Sequence, residues 1–527
     1  MFVPLTPLDF LRRAVHLYPH QTAIVDRNIR FSYKEYGARV NRLANALLAL
    51  QVQPGDVISF LTLNCHQLLE AYYGVIKIGA VLNPINVRMG TKEIEYILQH
   101  SGSRIVFAHT DFAPIVRQQR PHLPVLQDLI IIDGDPEEGE GEYEKLLKSV
   151  EPVPVDYVVE DENSMCELFY TSGTTGQPKA VALSHRNLYL HALTFISSFQ
   201  ITSDDVILHI VPLFHVNGWG TPQFLTAVGG KHVMLPKIFP EEICRLVQEE
   251  GVTRLYGVAT IMNDLLNFER LDQYDLSSIK QFAMGGAPVP FAIIQKLEKT
   301  FQCQAIAMYG LSETSPVIVN AAPKPQHRSL PEEDRQRLQA RTGFELIGTK
   351  LDVFDKEGNP VKRDAKDIGE IVVRSNLVMM GYHKDETSTD EVIKDGWFYT
   401  GDMAVIDEEG SILIVDRSKD IVISGGENIS TQEVESVLYL HEAVYECAVF
   451  GIPDEKWGER PRAAVVLKPG FQITEQQLID HCRDQLAHYK CPAAVDLIPE
   501  LPKSGTGKIL KRLLREPFWE GKEKRVQ

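Results

Sequence analysis

The segment Tyr170-Thr-Ser-Gly-Thr-Thr-Gly-Gln-Pro-Lys179 gathers two glycines, four Ser/Thr hydroxyls and a closing lysine into ten residues. Gly173 and Gly176 let a backbone approach an anion with its N–H groups turned inward. Thr171, Ser172, Thr174 and Thr175 add donors, and Lys179 brings a full positive charge. The mixture reads as a cradle for phosphate. A Walker A loop would set its lysine directly after the last glycine and follow it with Ser or Thr; here Gln177 and Pro178 intervene and Ala180 follows, so the segment is not a P-loop.

Three further groupings carry chemistry. Met308-Tyr-Gly-Leu-Ser-Glu-Thr314 follows the strand-like Ala305-Ile-Ala307 and puts a carboxylate and a hydroxyl just past a strand's end, where open α/β sheets bind ligands. Glu313 is an oxygen donor suited to Mg2+ bridging a triphosphate, and Thr314 can donate to a phosphate oxygen. Trp397-Phe-Tyr-Thr-Gly-Asp402 is followed, fourteen residues after its aspartate, by Asp416-Arg-Ser-Lys419. A carboxylate such as Asp402 can accept both hydroxyl protons of a ribose, and Arg417 offers a rigid fork of donors to the same sugar. Last, Leu501-Pro-Lys-Ser-Gly-Thr-Gly-Lys508 is a glycine-rich turn presenting one lysine before a helical Ile509 to Arg515. An ammonium at Lys508 would stabilise the charge that builds when a carboxylate attacks a phosphorus in line. Lys503 and Lys511 lie close by and read as solvated.

In wording and order these groupings resemble the adenylate-forming superfamily of acyl-CoA synthetases, luciferases and peptide-synthetase adenylation domains, in its acyl-CoA synthetase or fatty acid–CoA ligase branch. The resemblance spans nearly the whole chain. It implies a reaction in which a carboxylate and ATP give acyl-adenylate and pyrophosphate, and a thiol then displaces AMP. By that resemblance Lys508 catalyses adenylation, Glu313 holds Mg2+, Tyr309 stacks on adenine, and Gly286, Ala287 and Pro288 of Ala283-Met-Gly-Gly-Ala-Pro288 form the adenine wall. Asp402 and Arg417 match the ribose ligands and Lys419 the hinge about which a small C-terminal domain turns. Gly425, Gly426 and Glu427, within Ser424-Gly-Gly-Glu-Asn-Ile429, match the loop that lines the pantetheine tunnel of coenzyme A after rotation.

The same resemblance places Val211-Pro-Leu-Phe-His-Val-Asn-Gly-Trp219 at the acid's entrance, with His215 near the reacting atoms and Trp219 beside the acyl channel. The aspartate that holds an amino acid's ammonium group is absent from this segment, which disfavours amino acids. The segments expected to wall the pocket, Phe214 to Trp219, Val258 to Thr260 and Val317 to Val319, contain no Arg or Lys, so a dicarboxylate would leave a charge unpaired. Gly218 and Gly220 are expected to leave space beside Trp219. The expected substrate is a medium- or long-chain fatty acid. Alternatives are a benzoate-type aryl acid, an enzyme loading a carrier protein, an oxidative luciferase, and a non-catalytic ligand sensor. The segment Thr342-Gly-Phe-Glu-Leu-Ile-Gly348 departs from the Gly-x-Pro turn of many relatives.

Positioning these groups falls to alternating short apolar runs and helical stretches, which predict layered α/β structure with mostly parallel sheets. Val57 to Leu63 precedes a helical His66 to Gly79, a helical Lys92 to Gln99 precedes the strand-like Arg104 to Ala108, and Arg254 to Val258 precedes Ile261 to Phe268. Asp135 to Glu142 and Pro323 to Gln339 read as charged surface excursions. From about Lys419 the pattern becomes a compact α+β unit, with Thr474 and Gln477 as a capping box, giving domains of 1–418 and 419–527. A first helix is expected to be capped by Thr6 with Pro7 as its first residue.

The 527 residues carry 54 basic and 71 acidic side chains, a net charge of −17, and the basic ones form no stripe of the kind that tracks nucleic acid. Seven cysteines without a CxxC pair fit a reducing compartment, taken as the cytoplasm. Met1 to Arg13 is not expected to act as a signal peptide, no apolar run is long enough for a transmembrane segment, and Arg525-Val-Gln527 is not expected to act as a peroxisomal address. Peripheral membrane contact and a homodimer are compatible with it.

Overall fold

The computed structural model describes residues 1–155, 158–171, 177–417, 420–425, 427–503 and 509–520. Among the described residues the strands form four sheets, of nine, eight, five and five strands. Six neighbouring strands at the centre of the first, from Gln304–Gly310 through Gln281–Met284, Arg254–Gly257, Val206–His209 and Lys231–Met234 to Thr22–Asp26, are parallel. In the second sheet Val81–Pro84, Val57–Leu61, Ser103–His109 and Asp128–Ile132 are parallel, and Met165–Thr171 joins them before turning back as the antiparallel Lys179–Ser184. The third sheet, which includes Trp397–Ile406 and Ile412–Arg417, is antiparallel. The fourth belongs to a small C-terminal α+β domain built on Val444–Asp454 and Gly458–Leu467.

Parallel strands buried on both faces must be apolar throughout, as Val57–Leu61 is. The helices between them turn an apolar stripe inward: Thr91–Ser101 buries Ile94, Ile97 and Leu98. A large core cluster runs from Leu11 to Ile412 and brings together side chains from the first three sheets. The small domain has its own core around Val434, Leu438, Val449, Val465 and Leu478. The predicted capping box is present, with Gln477 Oε1 accepting from both the backbone N–H and the hydroxyl of Thr474.

Several element edges differ from the sequence reading. The first helix is Leu8–Leu17 with Pro7 as its N-cap, and Thr6 Oγ1 accepts from Leu8 N–H at 3.3 Å. The expected helix from His66 ends at Gly74 and is followed by a tighter turn, Ile76–Ile78, that closes on Gly79 at φ +76°. The charged excursion after Pro323 is held down by buried His327, Gln336 and Gln339, the last two donating to Glu298. Gly343 lies in the divergent 342–348 segment at φ +112°, where an added Cβ would stand 2.0 Å from Asn320 O; only glycine permits that crossing.

Candidate active site

Two antiparallel strands, Trp397–Ile406 and Ile412–Arg417, pair Asp402 directly with Arg417. Arg417 Nε lies 3.4 Å from one carboxylate oxygen of Asp402, and the hydroxyl of Tyr309 donates to the other at 2.8 Å. The strand Gln304–Gly310 thus delivers Tyr309 to the end of a neighbouring sheet, and the three residues predicted to hold adenosine converge on one carboxylate. Burial, reinforced by Asp402, holds the Tyr309 phenol well above its usual range, so it is a donor at neutral pH.

Beyond that strand, Glu313 and Thr314 sit in the short turn Ser312–Thr314. Glu313 Oε1 accepts the Tyr382 hydroxyl at 2.9 Å, and Lys179 Nζ stands 4.7 Å from the centre of the Tyr382 ring. Tyr382 therefore lies between the predicted metal ligand and the lysine of the predicted phosphate loop. Burial raises the Glu313 carboxyl above its ordinary value, against the opposing pull of the Tyr382 hydrogen bond. A half-buried carboxylate oxygen of this kind fits a Mg2+ ion held through Glu313. Thr314 is placed differently from the reading that gave it a phosphate contact. It is fully buried, and its hydroxyl donates to Pro316 O at 2.7 Å and accepts from Leu311 N–H at 2.9 Å, so it braces the turn that aims Glu313.

Gly286, Ala287 and Pro288 follow the strand Gln281–Met284 and are exposed or half-buried, as a binding wall requires. An added Cβ at Gly285 would lie 2.8 Å from Met308 O and 3.5 Å from Trp219 Cη2; one at Gly286 would lie 3.6 Å from Val258 Cγ1 and 3.8 Å from Trp219 Cζ2. Trp219 and Val258, both 6% exposed, therefore flank the glycine wall. Trp219 packs in one cluster with Val211, Tyr256, Met308 and Val317.

The segment bearing Trp219 has an unusual backbone. From Val216 to Gly220 every φ is positive, at 39, 41, 51, 62 and 85°, before a right-handed helix resumes toward Val228. A left-handed turn costs roughly 1–2 kcal/mol for each non-glycine residue, so its neighbours must enforce it. Asn64 accepts from Leu213 N–H at 2.7 Å and donates to Val211 O at 3.2 Å, Tyr72 donates to Leu213 O at 2.6 Å, and Tyr73 donates to Pro222 O at 2.8 Å. The expectation that Gly218 and Gly220 leave room for the acid is corrected here. A Cβ at Gly220 would fall 2.5 Å from His191 Cε1 and one at Gly218 3.0 Å from Leu213 Cδ2, so the glycines serve the turn and its close packing. His215 is half-buried at the start of this turn, its N–H donating to Pro212 O at 2.9 Å.

In the small domain Gly425 and Glu427 are exposed, where the strands Val422–Ser424 and Glu427–Ile429 pair. Gly425 has φ +61° and lies under the Trp457 indole; an added Cβ would stand 2.8 Å from Trp457 Cε3, so the lack of a side chain makes room for that ring. Ser172, Gly173, Thr174, Thr175, Gly176, Lys419, Gly426 and Lys508 lie outside the described residues. Thr171 and Lys179 pair across the two strands that flank the predicted phosphate loop. Lys503 and Lys511 are not simply solvated. Lys503 pairs with buried Glu446 at 2.7 Å; Lys511, with its side chain 19% exposed, pairs with Glu435 at 2.7 Å and donates to Thr431 at 2.5 Å.

Sequence reasoning missed Tyr382 and Glu370, whose Oε1 accepts from Gly401 N–H at 2.7 Å beside Asp402. Neither stands within a motif. Tyr382 reaches Glu313 only because Gly381–Tyr382 adds to the edge strand Lys179–Ser184, a pairing that local spacing does not announce.

Comparison with known proteins places this arrangement. Residues 11–383 match the AMP-binding enzyme family, and residues 433–508 match the AMP-binding enzyme C-terminal domain. A peroxisomal butyrate–CoA ligase of Arabidopsis thaliana is 39% identical over 533 residues, covering 98% of this chain and 93% of that one. A peroxisomal benzoate–CoA ligase of the same plant is 38% identical over 542 residues, with the same two coverages of 98% and 93%. The crystal structure of an anthranilate CoA ligase in complex with anthranoyl-AMP superimposes with a TM-score of 0.90 at 26% identity, covering 98% of each chain. With both family matches in sequence order and the nucleotide-side residues converging as described, the chain belongs to the AMP-binding enzyme family.

Proposed function

We propose that this acid–thiol ligase, which uses ATP, Mg2+ and coenzyme A, activates a monocarboxylic acid with an uncharged, apolar tail, most simply a fatty acid. The observation that carries the proposal is that Trp219 and Val258 stand within 3.5 to 3.8 Å of where side chains at Gly285 and Gly286 would begin, which sets an apolar surface beside the predicted adenine site. A second charge on the acid would meet no partner on that surface. Two tail lengths compete. The wording around His215 and Trp219 favours a medium or long chain, whereas the similarity to a butyrate–CoA ligase favours a short one. An aryl acid is the second reading, favoured by the similarity to benzoate and anthranilate ligases.

In this reading Asp402, Arg417 and Tyr309 hold ribose and adenine, Gly286 to Pro288 form the base's wall, and residues 171–179 cradle the phosphates. Glu313 would hold Mg2+, which offsets phosphate charge. Lys508 stabilises the charge on attacking carboxylate and α-phosphate oxygens as the acid oxygen bonds to phosphorus and pyrophosphate leaves. Rotation about Lys419, with domains divided at 418/419, then withdraws Lys508 and brings Gly425 to Glu427 to the site. The thiol attacks the acyl carbonyl, its proton passes to solvent, and AMP leaves. His215 orients the acid near the reacting atoms. The seven cysteines, all free, support a reducing compartment such as the cytoplasm.

Acid-dependent ATP–pyrophosphate exchange, followed by a thioester assay with free coenzyme A, tests the reaction. A panel from acetate to palmitate with benzoate, scored by kcat/KM, tests the acid. Exchange without thioester would favour a carrier-loading enzyme, no exchange would favour a ligand sensor, and a preference for benzoate would replace the fatty-acid reading.

A further inference from the structure

Glu167 is a buried ionisable residue that the nucleotide chemistry does not use. It lies on Met165–Thr171, the strand that leads into the predicted phosphate loop, and is 0% exposed. Its neighbours in the sheet are Leu82 on one side and Leu183 on the other, so its backbone is fixed. Its side chain points to the segment that carries Trp219. Oε2 accepts from Asn217 Nδ2 at 3.1 Å and Oε1 accepts from Gln223 Nε2 at 2.9 Å. Asn217 lies inside the left-handed turn, two residues before Trp219, and Gln223 in the right-handed helix that follows, so one carboxyl group holds a side-chain amide on each side of the indole.

We propose that Glu167 is a positioning residue for acid selection, clamping the left-handed turn through Asn217 and Gln223 and so holding Trp219 against the Gly285–Gly286 wall. The proposal rests on the reading that Trp219 borders the acyl site. The turn is costly to form and five positive φ angles in a row do not persist without outside support. Asn64, Tyr72 and Tyr73 hold backbone carbonyls and an N–H on either side of it, whereas Glu167 reaches a side chain within it. A shift of the turn would move the indole relative to Gly285 and Gly286, and an apolar site discriminates acids by fit at the scale of a methylene.

Burial pushes the Glu167 carboxyl up to about 8, even though both amide hydrogen bonds act to lower it. At neutral pH it is therefore largely protonated, and its O–H needs an acceptor. Among the described residues Asn217 Oδ1 and Gln223 Oε1 are buried without a partner, and turning either amide over supplies one. A glutamine at this position offers one carbonyl acceptor and one donating edge, as the neutral acid does, whereas leucine keeps the bulk and loses both bonds.

The test compares Glu167→Leu, Glu167→Gln and Trp219→Ala on the acid panel, and reads Trp219 directly as the difference in emission between each Glu167 variant and the same variant carrying Trp219→Phe. Glu167→Leu should redden the Trp219 emission, raise its acrylamide quenching, reorder the acids and raise KM for the best acid about tenfold, with KM for ATP held within about twofold. Glu167→Gln should recover the acid order of the parent enzyme. If Glu167→Leu does not fold, Gln223→Met releases one end of the clamp and should move both readouts the same way by a smaller factor. Unchanged emission and acid order in the folded variants overturn the clamp while leaving the acyl-wall reading intact, provided that Trp219→Ala reorders the acids. If Trp219→Ala only scales the profile, the acyl-wall reading fails and the proposal fails with it.

Discussion

Asp402 and Arg417 face each other across two antiparallel strands at 3.4 Å, with the second oxygen of Asp402 taken by Tyr309. Fourteen residues separate Asp402 from Asp416, the neighbour of Arg417 in sequence. That separation is what a hairpin of this length requires to place Asp402 and Arg417 at the same end of the sheet, so spacing that looked like a motif is a register. Asp402 is 5% exposed and already oriented by Tyr309 and Arg417, the preorganisation that the proposed role as acceptor for a sugar's hydroxyl groups calls for.

Asp402→Asn keeps the shape and exchanges one acceptor for a donor that faces Tyr309 or Arg417. We expect KM for ATP to rise roughly 10- to 100-fold, the range for losing hydrogen bonds to a charged group, with KM for the acid nearly unchanged. Steady-state kinetics with each substrate varied in turn check it. A parallel rise in both constants would show that Asp402 supports the fold and not the nucleotide.

Tyr382 separates Lys179 from Glu313, touching the first with its ring and the second with its hydroxyl. Tyr382→Phe removes the hydroxyl and keeps the ring, so the effect should appear in the metal dependence: more Mg2+ for half-maximal rate, and kcat lower by about 3- to 10-fold. Glu313→Gln should raise the Mg2+ requirement far more. A Tyr382→Phe enzyme with the parent Mg2+ titration would mean that Tyr382 only packs against Glu313.

The convergence of Tyr309, Asp402 and Arg417 was legible in sequence because each sits in a short run whose composition is costly for any other purpose, Tyr309 at the end of a strand and Asp402 and Arg417 at hairpin spacing. The acyl side was not. Whether Gly218 opens space or accommodates Leu213 depends on the handedness of a turn, and a left-handed run through Val216 and Trp219 contradicts local propensity. Thr314 was misplaced for a related reason: one hydroxyl proton can serve a ligand or a turn, and only the position of the Pro316 carbonyl decides. Glu167 gave no signal, since a single glutamate in an apolar strand acquires meaning only from Asn217 and Gln223, 50 and 56 residues away.

Lys508→Ala should slow adenylation by about 10² to 10³, as loss of a single donor to developing charge does. Thioester formation from supplied acyl-AMP should largely survive, because the proposed alternation withdraws that lysine before the thiol step. Equal damage to both half-reactions would reject the alternation of the small domain between them.

His66 offers a prediction about stability that is separate from catalysis. It starts the helix His66–Gly74, and Asp26, at the end of Thr22–Asp26, accepts from both its backbone N–H at 2.9 Å and its ring Nδ1 at 2.7 Å, tying that strand to the helix. Burial opposes charge on this ring, but Asp26 and then Glu144 outweigh it and push the imidazole up to about 9. A group whose folded pKa lies above its unfolded value gives stability that is complete below the unfolded pKa, near 6.5, and is lost as pH rises through the folded one. The window is therefore about pH 6.5 to 9, and the loss across it is at most about 3 kcal/mol. In His66→Gln the amide can still donate to Asp26 but does not titrate, so that part of the alkaline loss should vanish. Urea unfolding of the two proteins at pH 6.5 and at pH 9.5 measures the difference: the parent should lose more stability than the variant on going to high pH. Parallel losses would mean that His66 is neutral in the folded protein and that Asp26 holds it by hydrogen bonding alone.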